Sequence, residues 1–95
     1  MIERHVNFVV IPEKSQEFED FFKAQYRPAM MKSAGFVSVE LIQEMEQPAI
    51  YQMMIRFENL EQAAAWRNSE PHKTLAAILK SFYTSSDVTV YKFVS

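Results

Sequence analysis

The segment Ala63–Lys80, AAAWRNSEPHKTLAAILK, decides how this chain folds. Three alanines and Trp66 extend one helix, and Asn68-Ser69 interrupts it. Ser69 then stands as candidate N-cap of a second helix, with Glu70 in its positive first turn and Pro71 where a missing N–H costs nothing. Leu75, Ile78, Leu79 and Phe82 recur at helical spacing and predict the buried face. His72 falls one turn before Ala76 and near Leu75 on that face. Trp66 and His72 can therefore look into the same space, and whether that space is a pocket or packed core is the functional question.

Outward from this segment the pattern changes to strands. Ile2 to Ile11 alternates, with Val6, Phe8 and Val10 on one face and His5, Asn7, Val9 and Ile11 on the other, and Pro12 ends the run. Glu13 to about Ala34 reads as a helix, with Phe18, Phe22 and Tyr26 at i, i+4 and i+8. Pro28 cannot donate to the helical ladder, so a kink or restart is expected near Arg27. Gly35, the only glycine, suits a left-handed residue ending that helix. Phe36 to Met45 is the second strand, with Val37, Val39 and Leu41 on one parity. Ala49 to Glu58 is the third, with Tyr51, Met53, Ile55 and Phe57 sharing a face, and the turn at Glu46-Gln47-Pro48 makes the two a hairpin. Asn59 and Gln62 resemble a capping box opening the next helix. Ser85-Ser86-Asp87 reads as a turn and Val88 to Val94 as the last strand.

The order β-α-β-β-α-β is the split arrangement of ferredoxin-like α+β domains: a four-stranded antiparallel sheet with both helices on one face. Residues 1–95 are one domain. Because several strands carry bulky apolar side chains on both faces, a second copy of the chain is expected to cover the face the helices leave bare, giving a two-fold homodimer.

Composition removes several functions. Ten Lys+Arg against twelve Asp+Glu give a net charge of −2 with no long run of either sign, so there is no electrostatic footprint for nucleic acid. The absence of cysteine excludes disulfides, thiolate metal sites and thiol nucleophiles. No apolar run approaches a membrane span, and the N-terminus MIERHVNF lacks a secretory pattern, so the cytoplasm is the expected location. Two histidines far apart in sequence give no metal-ligand cluster.

The element order, the length, an asparagine on the first strand and the spacing Trp66-x-x-Ser69-x-x-His72 together resemble the antibiotic-biosynthesis monooxygenase (ABM) domain family, a dimeric α+β barrel. The resemblance covers essentially the whole chain. It implies a cavity between sheet and helices. Some members of that family oxygenate quinol or anthrone-like polyketide substrates with neither metal nor flavin, a related branch binds and degrades haem, and many others have no established reaction. The haem-degrading branch places its iron-ligating histidine about where Ala76 stands here. Ala76 cannot bind iron, and His72 lies a full turn earlier, about 5.4 Å along the axis.

The resemblance makes Asn7, Trp66 and His72 the candidate catalytic residues. Asn7 could steady a developing oxyanion, since an amide N–H₂ in a dry cavity stabilises an enolate. It could equally be an amide at the edge of the core. Trp66 offers a flat wall for an aromatic ligand, or ordinary packing. An imidazole titrates near neutrality, and the helix N-terminus favours its neutral form, so His72, or His5, suits a general base; His72 could equally serve the helix N-terminus or lie at the surface. His5 shares the parity of Asn7. His5, Phe22, Tyr51 and Leu75 are the candidate substrate contacts. Arg56, opposite in parity to Tyr51, belongs to the rim. The expected activity is cofactor-independent oxygenation of a small aromatic or polyketide-like molecule. The rival readings are a haem-binding protein and a non-catalytic dimeric binder.

Overall fold

The computed structural model describes residues 1–95. Its elements are β1 (Ile2–Val10), a 3₁₀ turn (Pro12–Lys14), α1 (Ser15–Phe21), a π-helical segment (Phe22–Tyr26), α2 (Arg27–Met31), β2 (Phe36–Gln43), β3 (Ile50–Phe57), α3 (Leu60–Arg67), α4 (Glu70–Leu79), a 3₁₀ turn (Lys80–Phe82) and β4 (Tyr83–Lys92). The four strands form one antiparallel sheet in the order β2-β3-β1-β4, with the helices on one face. This is the ferredoxin-like α+β architecture that the alternation predicts. No helix is long and apolar enough to cross a membrane.

The inner face of the sheet is set by parity. Phe8 and Val10 of β1, Tyr51, Met53, Ile55 and Phe57 of β3, and Val39 of β2 are all buried against Phe18, Phe22, Tyr26 and Met30 of the first helical stretch. Phe18 is the hub. Its ring meets Tyr51 at 4.9 Å, Phe8 at 5.5 Å and Phe82 at 6.2 Å between centroids, each close to edge-on, the geometry the ring quadrupoles favour.

Several local expectations are revised, and one is made specific. The break in the first helix falls near Arg27, where Pro28 predicts it. Arg27 N–H donates to the carbonyl of Phe22, five residues back, so the turn before Pro28 widens into a π segment. That relieves the clash a proline ring makes with the carbonyl four residues earlier. The helix ends at Met31, and Gly35 (φ 80°) serves the turn into β2 instead of the helix end. In β2 the register shifts between Phe36 and Ser38, so Val37 is bulged out and exposed while Phe36 packs on the core. Ser85–Asp87 is strand and not turn, because these residues pair with Val9, Phe8 and Asn7 of β1. On α4 the buried stripe narrows to Leu79 with Leu75 half-buried, and Ile78 is exposed.

The opposite face of the sheet is mixed. Val9, Ile42, Tyr91 and Phe93 are exposed on or beside it. Between them lie two polar ladders: Gln52 donates to Asn7 (2.7 Å) and Asn7 to Asp87 (2.8 Å), while Glu3 accepts from Arg56 (2.6 Å). The two-sided apolar sheet expected from sequence is thus interrupted by hydrogen-bonded polar side chains.

Gly35 gives a direct check on the packing of α3 against the β2 turn. An added Cβ there would lie 1.9 Å from Gln62 Oε1 and 2.8 Å from Gln62 Cβ, in a left-handed conformation. Gly35→Ala is expected to cost about 1–2 kcal/mol in denaturant unfolding, the usual penalty for a side chain in that backbone region. Lys32→Ala, exposed and one residue past α2, should move stability by under about 0.5 kcal/mol.

Candidate functional site

The corner between α3 and α4 is built by one hydroxyl. Ser69 Oγ donates to the carbonyl of Trp66 (2.6 Å) and accepts from the backbone N–H of His72 (3.3 Å). The Trp66-x-x-Ser69-x-x-His72 spacing is therefore a folding device. The serine closes the C-terminal turn of α3 and caps α4 together, so the residues three before and three after it are folded onto one another. The Trp66 and His72 rings meet at 5.2 Å, and both pack edge-on against Tyr26, at 6.0 and 6.2 Å.

The same corner fixes the histidine tautomer. His72 Nδ1 lies 2.9 Å from the carbonyl of Arg67, an acceptor only, so Nδ1 carries the proton and Nε2 keeps its lone pair. Burial first, and the nearby Arg4 and Arg67 guanidiniums after it, lower the His72 pKa below its ordinary 6.5, partly offset by the hydrogen bond to Arg67. The imidazole is thus neutral at pH 7 and equipped to accept a proton.

His72 lines a cavity of about 160 Å³ between α4 and the inner face of the sheet. Its walls are Val6, Phe8, Met53, Ile55 and Leu79, and its polar groups include Arg4, Tyr26, Arg67 and His72. Burial pushes the Tyr26 hydroxyl up to about 12, so it stays protonated, and the Trp66 ring packs edge-on against the Tyr26 ring. Ala76 lines the cavity beside His72 and offers no ligand to a metal. A haem does not fit: Ala76 offers nothing to coordinate with, and a cavity of about 160 Å³ has room for one small ring and not for a porphyrin.

The seven residues expected at a site do not converge. Trp66 and His72 come together, with Trp66 behind the cavity wall and nearly buried. Leu75 packs on the core beside them. Phe22 and Tyr51 line a separate cleft of about 250 Å³ with Glu19 and Arg27, where the Tyr51 hydroxyl donates to Glu19 and the Arg27 guanidinium lies 4.8 Å from the Phe22 ring centroid. Asn7 and His5 lie on the opposite face of the sheet. Asn7 is engaged at both ends by Gln52 and Asp87, and His5 is paired with Glu3 and set 4.6 Å from the Tyr91 ring. The reason is the two-residue period: a residue next to Val6 and Phe8 cannot share their face. Arg56, paired to Glu3 and over the Phe93 ring, is outward as expected.

Three site residues were missed. Arg4 has the parity of Ile2, Val6 and Phe8, which was the available signal for an inward side chain. Tyr26 was legible as part of the helical stripe but not as a hydroxyl in a cavity. Arg67 had no signal beyond its place next to Trp66.

A family profile described as "Antibiotic biosynthesis monooxygenase" matches residues 1–77. No curated protein matches the sequence. Among solved structures, similarity extends to SnoaB, a cofactor-independent oxygenase from Streptomyces nogalater in a single-substitution variant (TM-score 0.89, 17% identity, 99% of this chain and 93% of that one). It extends also to a conserved protein from Methanosarcina mazei Go1 (TM-score 0.86, 23% identity, 96% and 90%). A third is a Nitrosomonas europaea protein whose own assignment as an antibiotic biosynthesis monooxygenase is provisional (TM-score 0.88, 14% identity, 100% of both chains). At these identities the likeness establishes a shared fold.

Two measurements check the corner. Ser69→Ala removes an N-cap and is expected to cost about 1 kcal/mol in chemical unfolding. The lowered His72 pKa means that the unfolded chain binds its proton first as pH falls. Stability from this group is therefore full above 6.5, the ordinary value, and is lost as pH drops below it toward the folded-state pKa. His72→Gln should flatten that part of the stability profile between about pH 7 and the folded-state value. An unchanged profile would show that His72 is not depressed.

Proposed function

The chain belongs to the antibiotic biosynthesis monooxygenase family, and from that premise we propose that the cavity beneath α4 oxygenates a small electron-rich aromatic substrate with His72 as general base. The observation that carries the reading is a neutral imidazole with a free Nε2 lone pair at an apolar cavity that also holds cations. A cavity near this volume accommodates one six-membered ring, as voids of about 150 Å³ do.

The chemistry follows from the lining. A phenol with an unsubstituted para carbon places its hydroxyl against His72 Nε2, which takes the proton. The positive field of Arg4 and Arg67 favours the phenolate over the phenol. The phenolate passes one electron to O₂, and the resulting radical pair joins at the para carbon. The His72 proton returns to the peroxide oxygen. Loss of the para C–H proton and of hydroxide, which leave together as water, gives the quinone. One oxygen atom enters the ring and the other becomes water, so phenol plus O₂ balances quinone plus H₂O. The guanidiniums do here what the resemblance suggested for Asn7. The Trp66 and Tyr26 rings pack against the imidazole and hold it in place.

The reading includes a second copy of the chain on the outer face, supported by the exposed Val9, Ile42, Tyr91 and Phe93 around the polar ladders. A chain without cysteine or a span-length apolar helix suits a cytoplasmic site for the reaction.

Oxygen-electrode assays with a panel of single-ring phenols unsubstituted at the para carbon, corrected for the uncatalysed rate, test the mechanism. At least one of them is expected to be consumed, and His72→Ala should lower the rate about 10²-fold or more, the usual contribution of a positioned base. No uptake by the wild type, or uptake undiminished in His72→Ala, contradicts it. Sedimentation should give a particle of twice the 11.1 kDa chain mass, and a lone chain at micromolar concentration would remove the dimer.

A further inference from the structure

The charge of the cavity beneath α4 is unbalanced. Arg4 and Arg67 both line it, and no Asp or Glu does. Neither guanidinium makes an ion pair; the acidic partners on this sheet, Glu3 and Asp87, are on the opposite face, bonded to His5, Arg56 and Asn7. Across the strands, Arg4 stands between Ile55 of β3 and Val90 of β4, both apolar, and its Nε is buried with no hydrogen-bond partner among the protein's groups. Arg67 is exposed to solvent, but Arg4 is a partly buried cation in a largely apolar cavity without a counter-charge, an arrangement folding alone does not favour.

We propose that the cavity selects an aromatic substrate that already carries a carboxylate, with Arg4 as its anchor and Arg67 at the mouth. This deepens the proposed oxygenase and rests on the same cavity being the substrate site. The charge count supports it. A neutral phenol that gives its proton to His72 leaves the site as two positive charges over, before and after transfer, because the proton only moves between bound groups. A hydroxybenzoate-type substrate reduces that excess to one in both states. A guanidinium also offers a planar pair of donors matched to a carboxylate, which a phenolate oxygen cannot use in full. The ring then lies over Val6, Phe8 and Met53, with its hydroxyl toward His72. The substrate class is therefore a single aromatic ring bearing one carboxylate and one hydroxyl.

Binding measured anaerobically by calorimetry, with 3-hydroxybenzoate and its neutral isostere 3-hydroxybenzamide as probes, tests this apart from turnover. The wild type should bind the benzoate at least about tenfold more tightly than the amide. Arg4→Gln should bring that ratio close to one, Arg4→Lys should keep most of it, and Arg67→Gln should lower it in part, with circular dichroism confirming that each variant is folded. Equal affinities in the wild type, a ratio unmoved by Arg4→Gln, or no saturable binding of either probe would overturn the proposal. If Arg4→Gln does not fold, the Arg4→Lys and Arg67→Gln ratios decide it in the same terms. The oxygenase reading fails separately, on absent oxygen uptake with the carboxylate preference intact.

Discussion

The hydroxyl of Ser69 is the constraint on which the site depends. By donating to Trp66 O and accepting from His72 N–H, it makes a tight corner of two helices that would otherwise have unsatisfied ends. The groups of this corner are then placed by consequence. Trp66 is driven into the core beside Tyr26, and the carbonyl of Arg67 is turned toward the imidazole, which settles which nitrogen holds the proton. A short polar side chain at a helix junction thereby helps decide which nitrogen of the proposed base carries the proton.

The second determinant is the sheet. Its inner face is mostly apolar, and Arg4 is the charged side chain on it that gives the cavity its sign. The π segment at Phe22–Tyr26 belongs to the same design. Pro28 prevents a regular turn, the chain widens, and Tyr26 ends that wide turn with its ring against both Trp66 and His72. On the far face the polar ladders through Asn7 and Glu3 keep the strands in register without joining the site.

The fold was legible because the two-residue and 3.6-residue periods are strong in this chain. Val6-Phe8-Val10 and Tyr51-Met53-Ile55-Phe57 name the inner face without ambiguity, and Ser69-Glu70-Pro71 names a helix start. The ends of elements were less legible: Val37 and Ser85–Asp87 are governed by pairing partners distant in sequence, which a local pattern does not contain. The site was legible in half. Trp66 and His72 carry their own local reason for meeting. Asn7 was placed by resemblance although its parity already set it opposite Val6 and Phe8, while the same parity, applied to Arg4, would have found an inward cation.

The central claim is that the corner holds His72 neutral at the cavity, protonated on Nδ1, with no protein group bonded to Nε2. Nitrogen-15 and proton NMR of the labelled imidazole reads this directly across pH. The account predicts an Nδ1–H tautomer for His72 and a titration midpoint below 6.5. An Nε2–H tautomer, or a midpoint at or above that value, would contradict it.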